Sequence, residues 1–371
     1  MSLSDMKKAL ILANSSSGLY DFRNELLLGL MDEDFEVVVS LPDDLKNKEL
    51  NDEGCRTVHT DINRRGVNPV QDLGLLFSYI KLIKKEKPSV VITYTIKPNI
   101  YGGFACRLLG VPYVSTVTGL GTTFERGGVL LKLIVFMYKT ALKKCRCLFF
   151  QNSHNKDVFE SHGIKAKKHV VVNGSGVNLD KHKKEDYPGH ADDVTRFLYI
   201  GRIMKEKGTD EYLYAAKELH EKYGDRVSFA GIGYFDDEYE EKVREAEKEG
   251  YFKMISYQPD IHPYIKESDA IVHPSYHEGM SNVLMEASAT GRPVIASDIS
   301  GCREIVDKDK SGFLFAPRDK EALLHALDRF MGLSMDERKA MGEAARSYVE
   351  QKFDRSSIIL TYIEEIKEII I

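Results

Sequence analysis

Short apolar runs and segments of helical periodicity alternate along nearly the whole chain. In the first half, strands are predicted at 7–14, 35–41, 89–95 and 112–119, with helices inside 15–34 and near 70–86 and 99–110. Strands separated by helices at this spacing are typical of βαβ units and of a parallel sheet. The first half is therefore predicted to be one doubly wound domain.

The alternation stops at 181–196, a charged segment that contains Pro188 and Gly189 and has no apolar period. This composition predicts a linker between domains. The pattern then restarts, with strands predicted from 197 onwards and at 227–233, 252–257, 270–275 and 293–298, and with closing helices near 319–331, 335–351 and 356–369.

The expected architecture is α/β, with two doubly wound, Rossmann-like domains at 6–180 and 195–352. A helix at about 356–371 is expected to pack back on the first domain. Ligands of open parallel sheets bind outside the carboxyl ends of the strands. With two such sheets, the predicted site is the cleft between them.

Composition narrows the class of protein. The 371 residues are 43% hydrophobic and 29% charged, as in soluble globular proteins, and the net charge of −5 argues against a nucleic-acid partner. The five cysteines are odd in number and irregularly spaced, which favours a reducing cytoplasm. The chain start has no apolar segment typical of a signal peptide, and no apolar run reaches the ~18 residues of a membrane span.

The stretch 273–298 places Glu278 and Glu286 on either side of a predicted helix start, with Ser281 or Asn282 as the N-cap. Backbone N–H groups at a helix N-terminus suit a phosphate. Here those groups belong to Gly279, Met280, Ser281, Asn282 and Val283. The two carboxylates would then accept hydrogen bonds from a ribose on one side of a diphosphate and a sugar on the other. The alternative is an ordinary capped helix with two solvated glutamates.

A second candidate segment follows the strand that begins at 197. Gly201 ends the strand, and Arg202 and Lys207 follow before the next helix. An arginine fork and a lysine point charge at a strand end can neutralise a diphosphate. A solvated charged loop is the alternative.

The order G-R-x4-K-G, E-G-x6-E and G-x-P-V-I-A-S resembles glycosyltransferase family 4, the retaining enzymes with the two-Rossmann GT-B fold. The resemblance implies that Arg202 and Lys207 bind the donor diphosphate, that Glu286 binds the ribose, and that Glu278 lies beside the transferred sugar. Arg202, Lys207 and Glu278 would then be the catalytic residues. The segments "SGLYDFR", "TYTIKPNIYGG" and "TVTGLGTTF" look most like members that assemble bacterial capsular, O-antigen or protein-linked glycans.

On the acceptor side the match is incomplete. Many family members carry a histidine near the donor sugar where this chain has 116–121, and none of the 11 histidines falls there. Thr118 and Gly119 are expected to take that place, with Lys97 and Asn99 on the acceptor side. Gly18 is expected opposite the donor phosphates.

The segment 126–147 is predicted to be a basic, apolar helix that lies on an anionic membrane surface. No acidic residue stands between Glu125 and Asp157. The same interval contains seven cationic residues, Arg126, Lys132, Lys139, Lys143, Lys144, Arg146 and Lys156. The alternative is a helix packed on the first sheet with lysines reaching to solvent.

The predicted function is a retaining hexosyltransferase that moves a sugar from a UDP-linked donor to a lipid-linked glycan acceptor at the inner face of a bacterial membrane. No metal cofactor is expected, because the two D-x-D matches at 32–34 and 307–309 lie in charged turns. The rival hypotheses are a nucleotide-sugar 2-epimerase, a non-catalytic nucleotide-sugar sensor and a transferase to a soluble acceptor.

Overall fold

The computed structural model describes residues 7–63, 68–121, 124, 127–235 and 239–370. The chain forms two compact units. The first contains the residues up to Ser175 and those from Ser356 onwards, and the second contains Gly176–Arg355.

The first unit is built on a parallel sheet of seven strands. The strands are β1 (Lys7–Leu12), β2 (Phe35–Leu41), β3 (Arg56–His59), β4 (Val90–Tyr94), β5 (Tyr113–Val117), β6 (Cys147–Phe150) and β7 (His169–Val171). The helices before the second unit are α1 (Ser16–Asp32), α2 (Asn47–Asp52), α3 (Pro69–Glu86), α4 (Gly103–Leu109), α5 (Gly128–Ala141) and α6 (Ser153–Ser161). A π-helical turn, Pro98–Gly102, leads directly into α4.

The second unit is built on a parallel sheet of six strands. The strands are β8 (Thr195–Ile200), β9 (Val227–Gly233), β10 (Lys253–Ser256), β11 (Ala270–His273), β12 (Val294–Ser297) and β13 (Gly312–Phe315). The helices from here to the end of the chain are α7 (Thr209–Tyr223), α8 (Glu240–Lys248), α9 (His262–Lys266), α10 (Asn282–Ala289), α11 (Lys320–Met331), α12 (Met335–Phe353) and α13 (Arg355–Ile370). The last of these, α13, belongs to the first unit from Ser356 onwards.

Both sheets have a doubly wound strand order, as the alternating pattern predicts. The first runs β3-β2-β1-β4-β5-β6-β7 and the second β10-β9-β8-β11-β12-β13. The order reverses between β1 and β4 in one sheet and between β8 and β11 in the other. Loops at the carboxyl ends of such strand pairs diverge and leave a crevice, which is where these folds bind ligands.

Helices cover both faces of the first sheet. One apolar core lies between the sheet and α1, and the buried Ile358, Tyr362 and Ile366 of α13 belong to it. The core on the other face is formed with α3, α4 and α5. Strands buried on both faces appear in the sequence as continuous apolar runs, which explains why the pattern located β1, β2, β4 and β5.

The prediction of a linker at 181–196 is wrong, because this segment is bound to the second unit. Arg292, which is 0% exposed, donates to the carbonyl oxygens of Asp186 at 2.7 Å and Glu185 at 3.3 Å. Arg346 donates to the carbonyl oxygen of His182 at 3.0 Å. Polar side chains thus hold a segment without an apolar period in place, and periodicity does not detect such an attachment.

The basic segment predicted as one helix over 126–147 contains three elements. Helix α5 ends at Ala141, a 3-10 turn spans Leu142–Lys144, and Cys147 begins β6. Arg126 lies outside the described residues. Cys145 and Cys147 are buried, because the sequence after the turn enters the sheet. Strands β3, β7 and β13 also escaped prediction. Strands β3 and β7 lie at the two edges of the first sheet, where their residues are partly exposed and form no buried apolar run.

No helix in the described parts of the chain is long and apolar enough to cross a membrane. All five cysteines are buried thiols.

Candidate functional site

The predicted cationic segment lies directly after β8, at the switch point of the second sheet. The Gly201 N–H donates to the carbonyl oxygen of Ile232 at 2.9 Å, and the Tyr199 hydroxyl donates to the carbonyl oxygen of Arg202 at 2.6 Å. Arg202 and Lys207 are both partly exposed, and Lys207 ends a short 3-10 turn. The backbone at the strand end is therefore fixed, while both cationic side chains reach the surface.

Gly208 joins this segment to the loop that carries the first glutamate. Its φ is +72°, and a β-carbon at this position would lie 2.1 Å from the carbonyl oxygen of Pro274. Only glycine fits so close an approach in this conformation. The loops after β8 and β11 are therefore in direct backbone contact.

Helix α10 begins as predicted, with Ser281 as its N-cap. The Ser281 hydroxyl accepts from the Leu284 N–H at 3.4 Å. The Ser281 N–H donates to the carbonyl oxygen of Gly301 at 2.9 Å, so this N–H is not one of those that face a phosphate. Gly301 has a φ of +89°, and a β-carbon there would lie 2.8 Å from the carbonyl oxygen of Glu278.

The other residues of the predicted phosphate-binding turn differ in accessibility. Met280 is 7% exposed and packs in the core under α10, so only its backbone is suited to ligand contact. Gly279, Asn282 and Val283 are partly exposed. The helix N-terminus is thus present, with one of its five predicted N–H groups already used by the loop of Gly301.

Glu278 is the centre of a charged cluster. Its Oε1 lies 2.5 Å from Nζ of Lys207 and 2.8 Å from Nε2 of His273, and the Ser281 hydroxyl lies 3.3 Å from the same imidazole nitrogen. Burial by itself raises the pKa of Glu278, but the His273 hydrogen bond and the Lys207 charge outweigh it and hold the pKa well below its usual range. Glu278 is therefore a stable carboxylate at neutral pH.

Lys207 was predicted as a phosphate ligand, and the structure adds a carboxylate partner. An ammonium carries three N–H donors, and Glu278 takes one of them. His273, which belongs to the same cluster, has a side chain that is only 5% exposed. Its bond to Glu278 was not foreseen.

Glu286 lies on α10 and has a neighbour that the sequence analysis missed. Its Oε1 is 3.7 Å from Nε2 of His182, and the two side chains are 12% and 6% exposed. Burial, followed by the charge of Lys181, lowers the pKa of His182 to about 3, so its ring is neutral. His182 lies in the segment interpreted as a linker, and no local sequence signal identifies it.

In the first unit, a pocket of about 280 Å³ opens at the carboxyl ends of the central strands. Lys97, Thr118 and Gly119, three of the predicted acceptor-side residues, line it. The remaining lining residues are Asn14, Ile62, Thr95, Ile96 and Gly121. The pocket thus lies where the loops after β1 and β4 diverge.

Asn99 does not belong to this pocket, which corrects its assignment to the acceptor side. It is 1% exposed, accepts from the Thr93 hydroxyl at 2.7 Å and donates to the carbonyl oxygen of Thr116 at 2.9 Å. Asn99 satisfies buried polar groups between β4 and β5. The sequence could not separate this role from ligand contact, since both require an amide near a strand end.

A second pocket, of about 550 Å³, adjoins the first and shares Ile62 with it. Asp72 lines the second pocket, and its carboxylate lies 2.7 Å from Nζ of Lys97 in the first. This ion pair is largely buried, with the side chains of Lys97 and Asp72 16% and 9% exposed. The two pockets therefore meet at a fixed charged pair.

Thr118 is held by a relay of side chains. Its carbonyl oxygen accepts from the Gln151 amide at 2.9 Å, and the Gln151 oxygen accepts from Nη2 of Arg23 at 2.7 Å. The buried Arg23 guanidinium lies 5.4 Å from the ring centre of Tyr94 and 5.9 Å from that of Tyr362. The loop after β5 is thereby tied to α1, β4, β6 and α13.

Gly18 lies in the first turn of α1, after β1. Its N–H donates to the hydroxyl of Ser15, the N-cap, at 3.2 Å. The N–H of the neighbouring Ser16 donates to Asp43 at 3.1 Å. Two N–H groups of this helix start are therefore used within the first unit, which leaves the proximity of Gly18 to donor phosphates a prediction.

Two family models match the chain. The model described as "Glycosyl transferases group 1" matches residues 180–348, and the model described as "Glycosyl transferase 4-like" matches residues 8–152. The first contains all of the predicted donor-side residues except Gly18. The second contains Gly18 and the acceptor-side residues.

Curated relatives are similar over most of the chain. One is the N,N'-diacetylbacillosaminyl-diphospho-undecaprenol alpha-1,3-N-acetylgalactosaminyltransferase of Campylobacter jejuni, 27% identical over 81% of this chain and 83% of the relative. A second is the UDP-Gal:alpha-D-GlcNAc-diphosphoundecaprenol alpha-1,3-galactosyltransferase of Escherichia coli, 29% identical over 75% of each chain. A third is the capsular polysaccharide biosynthesis glycosyltransferase CapM of Staphylococcus aureus, 26% identical over 85% of this chain and 86% of the relative.

Solved structures share the fold. A glycosyltransferase from Rickettsia africae superposes with a TM-score of 0.78 at 20% identity, over 98% of this chain and 99% of its own. HepE from Anabaena, solved in complex with UDP, superposes with a TM-score of 0.79 at 16% identity, over 98% of this chain and 100% of its own. The two-domain α/β architecture predicted from the sequence is thereby confirmed.

Proposed function

Because the chain belongs to the family 4 glycosyltransferases, we propose that it transfers a hexose from a UDP-linked donor to a lipid-linked glycan, with retention of the anomeric configuration. The curated relatives named for undecaprenol diphosphate substrates support this class of acceptor. The observation that carries the proposal is the cluster of Glu278, Lys207 and His273 beside the N-terminus of α10.

In this proposal the donor diphosphate binds between the strand-end cations and the helix start. Arg202 contributes a fork of N–H donors and Lys207 a point charge. The N-terminus of α10 adds the partial positive charge of its backbone. These groups stabilise the diphosphate as it leaves, so catalysis is mainly electrostatic.

The two glutamates have different roles because their surroundings differ. Glu278, ionised and held by Lys207, accepts hydrogen bonds from hydroxyls of the transferred sugar. Glu286, one turn into α10 and close to the neutral His182, accepts hydrogen bonds from the ribose. A carboxylate acceptor for a hydroxyl contributes ~1.5–3 kcal/mol.

The acceptor is proposed to bind the first unit at the pocket of Lys97, Thr118 and Gly119. This pocket combines polar groups with the apolar Ile62 and Ile96. A sugar ring presents both hydroxyls and an apolar C–H face, so it matches such a lining. Helix α5 and the turn after it, with Lys132, Lys139, Lys143 and Lys144, are proposed to face the anionic membrane that carries the acceptor.

A nucleotide-sugar 2-epimerase is the rival function. It needs a carboxyl group that exchanges a proton near neutral pH. The depressed pKa of Glu278 disfavours that role for the carboxylate at the centre of the cluster. Incubation with donor alone separates the two functions, because an epimerase converts the donor without an acceptor.

The test separates donor affinity from turnover. Glu286→Ala should weaken donor binding by ~1–3 kcal/mol, because hydrogen bonds to the ribose are lost. Glu278→Gln should mainly lower turnover, because its partner is the reacting sugar. Donor affinity is measured by calorimetry and turnover by product formation. Glu240→Ala, which removes an exposed acid from the same unit, is the control. Wild-type behaviour of both site variants would refute the assignment.

Divalent metal is expected to be unnecessary, since Arg202 and Lys207 supply the positive charge that a metal supplies in D-x-D enzymes. Activity should survive EDTA, whereas Arg202→Ala and Lys207→Ala should each lower the rate by orders of magnitude. Loss of activity in EDTA with recovery on adding Mg²⁺ or Mn²⁺ would contradict the metal-free mechanism.

A further inference from the structure

The outer surface of the helix layer formed by α3, α4 and α5 is unusually apolar. Fifteen large apolar side chains are exposed in the described parts of the chain, and eight of them lie on this one layer. The eight are Val70, Leu73, Phe77, Leu108, Val129, Leu130, Leu133 and Phe136. Exposed apolar groups gathered on one surface mark an interaction site, whereas scattered ones do not.

On α3 the exposed apolar residues form one stripe. Val70, Leu73 and Phe77 are 79%, 54% and 66% exposed. Their spacing of three and seven residues places them on one side of the helix. All three lie in the N-terminal half of α3, a segment that the basic pattern of the sequence did not single out.

Helix α5 carries a matching stripe. Val129, Leu133 and Phe136 are 84%, 49% and 66% exposed, and their spacing of four and seven residues also places them on one side. Both helices cover the same sheet face and run from its carboxyl edge. The two stripes therefore lie towards the same edge of the sheet.

The charges of this layer have one sign at the surface. The exposed cations of α3, α5 and the turn after α5 are Lys81, Lys84, Lys85, Lys132, Lys139, Lys143 and Lys144. The two acidic residues of these elements, Asp72 and Glu86, are 7% and 6% exposed and are paired with cations. The surface thus combines cations with apolar side chains, the composition of a segment that binds an anionic lipid interface.

The layer on the opposite face of the sheet presents acidic residues where the first layer presents cations. Helices α1 and α13 carry Asp21, Glu25, Asp32, Glu364, Glu365 and Glu368 at least partly exposed. Lys367 of α13 is paired with Glu33 at the end of α1. The first unit is therefore polarised across its sheet. An anionic surface attracts the layer of α3 and α5 and repels that of α1 and α13.

Helix α3 also lines the second pocket. Gln71, Gly74 and Ser78 belong to that lining, and at ~100° per residue they lie about a quarter turn from the apolar stripe. One side of α3 thus faces outward with Val70, Leu73 and Phe77, and the neighbouring side faces the pocket that continues to Lys97.

We propose that the outer surface of α3, α4 and α5 is the membrane-docking face. The stripes of α3 and α5 insert into the interface of an anionic bilayer. Helix α3 then guides the lipid-linked acceptor from the bilayer into the adjoining pockets. The occupant is the bilayer, because the surface is both apolar and cationic. Only the last part, the passage of the acceptor along α3, rests on the proposed transferase function.

The chain contains no tryptophan, which permits a direct test of insertion. Phe77→Trp introduces a single indole on the α3 stripe, and Leu360→Trp introduces one at the 59% exposed Leu360 of the opposite layer. With phosphatidylglycerol vesicles, the indole emission of the Phe77→Trp variant should shift to the blue and be quenched by brominated acyl chains. The indole emission of the Leu360→Trp variant should do neither. Equal emission from both variants, without quenching, would overturn the insertion.

Binding is tested with paired substitutions. Phe77→Ser with Phe136→Ser should weaken vesicle binding at least tenfold and abolish the part that persists at 1 M salt, where charges are screened beyond ~3 Å. Lys139, Lys143 and Lys144 changed to Glu should instead abolish the salt-sensitive part. Leu28→Ser with Leu360→Ser, on the opposite layer, is the matched control and should bind like the parent. Parent-like binding by the phenylalanine pair would overturn the docking face.

Activity measurements separate this inference from the proposed function. The phenylalanine pair should keep donor affinity and transfer to a soluble acceptor analogue, and should lose transfer to an acceptor embedded in vesicles. Vesicle binding without any transfer would leave the docking face standing and refute the transferase. Transfer in vesicles unaffected by the pair would refute the guiding role of α3.

Discussion

At the scale of single residues, the second unit keeps one buried ionisable side chain charged and another neutral. Glu278 is kept charged by Lys207 and His273, and His182 is kept neutral by burial. The first suits a group that must accept hydrogen bonds through a reaction. The second suits a group that must not add charge next to Glu286.

The lowered pKa of His182 predicts a pH dependence of stability. In the unfolded chain a histidine titrates near 6.5, whereas in the fold the pKa of His182 is about 3. The unfolded state therefore binds the extra proton first, and stability is complete above pH 6.5 and declines as the pH falls towards 3. The titration of this one group should lower the free energy of unfolding by about 2 kcal/mol between pH 7 and pH 5.

Urea unfolding at pH 7 and pH 5 measures this effect. The free energy of unfolding of His182→Gln should fall about 2 kcal/mol less between the two values than that of the parent. His154→Gln, at an exposed histidine, should behave like the parent. An identical fall in parent and His182→Gln would show that His182 is protonated in the fold.

At the scale of elements, the candidate donor site depends on backbone contacts between loops. Gly208 packs on Pro274, and Gly301 packs on the backbone of Glu278. These contacts fix the distance between the cationic segment and the start of α10. The motif G-R-x4-K-G thus ends in a glycine for a packing reason that the sequence does not state.

Gly208→Ala should therefore destabilise the protein by more than the cost of placing alanine in a left-handed backbone conformation. Gly110 offers a matched control, because its φ of +71° equals that of Gly208 within one degree and no atom lies within 4 Å of a β-carbon there. Gly110→Ala should cost about 1 kcal/mol for the left-handed conformation. Gly208→Ala should cost several times more and weaken donor binding. Unfolding free energies and calorimetry check this, and equal costs would contradict it.

At the scale of the whole molecule, the last helix returns to the unit in which the chain begins. Tyr362 is 1% exposed, stacks on Phe149 with ring centres 4.0 Å apart, and lies 3.1 Å from the Thr116 hydroxyl. The core of the first unit is therefore completed by residues nearly two hundred positions beyond the rest of that unit.

Tyr362→Ala should destabilise the first unit by about 3–5 kcal/mol, as large-to-small changes of buried aromatic residues do. Leu360→Ala, at the exposed neighbour, should change stability by less than about 0.5 kcal/mol. Hydrogen exchange resolved by peptide should show the loss of protection in β1, β4 and β6, with the strands of the second unit unaffected. A loss confined to the second unit would contradict the assignment of α13.

The sequence by itself determined the fold class and the position of most strands. Strands such as β4 and β12 are buried along their whole length, and this burial appears directly as an apolar run. The sequence also located the start of α10, because an N-cap serine and the helix that follows are local features. The motifs that contain Arg202, Lys207, Glu278 and Glu286 identified the family for the same reason, because each motif is a short stretch of sequence.

Only the tertiary structure decided which of these residues have partners. Lys207 and Glu278 are 71 residues apart, and His182 and Glu286 are more than 100 apart. No periodicity records such contacts. The structure likewise assigned Asn99 to the core, Lys97 to a pocket and 181–196 to the second unit. It also placed the stripes of α3 and α5 on one helix layer, because separate helices form a common surface only when a sheet packs them on the same face.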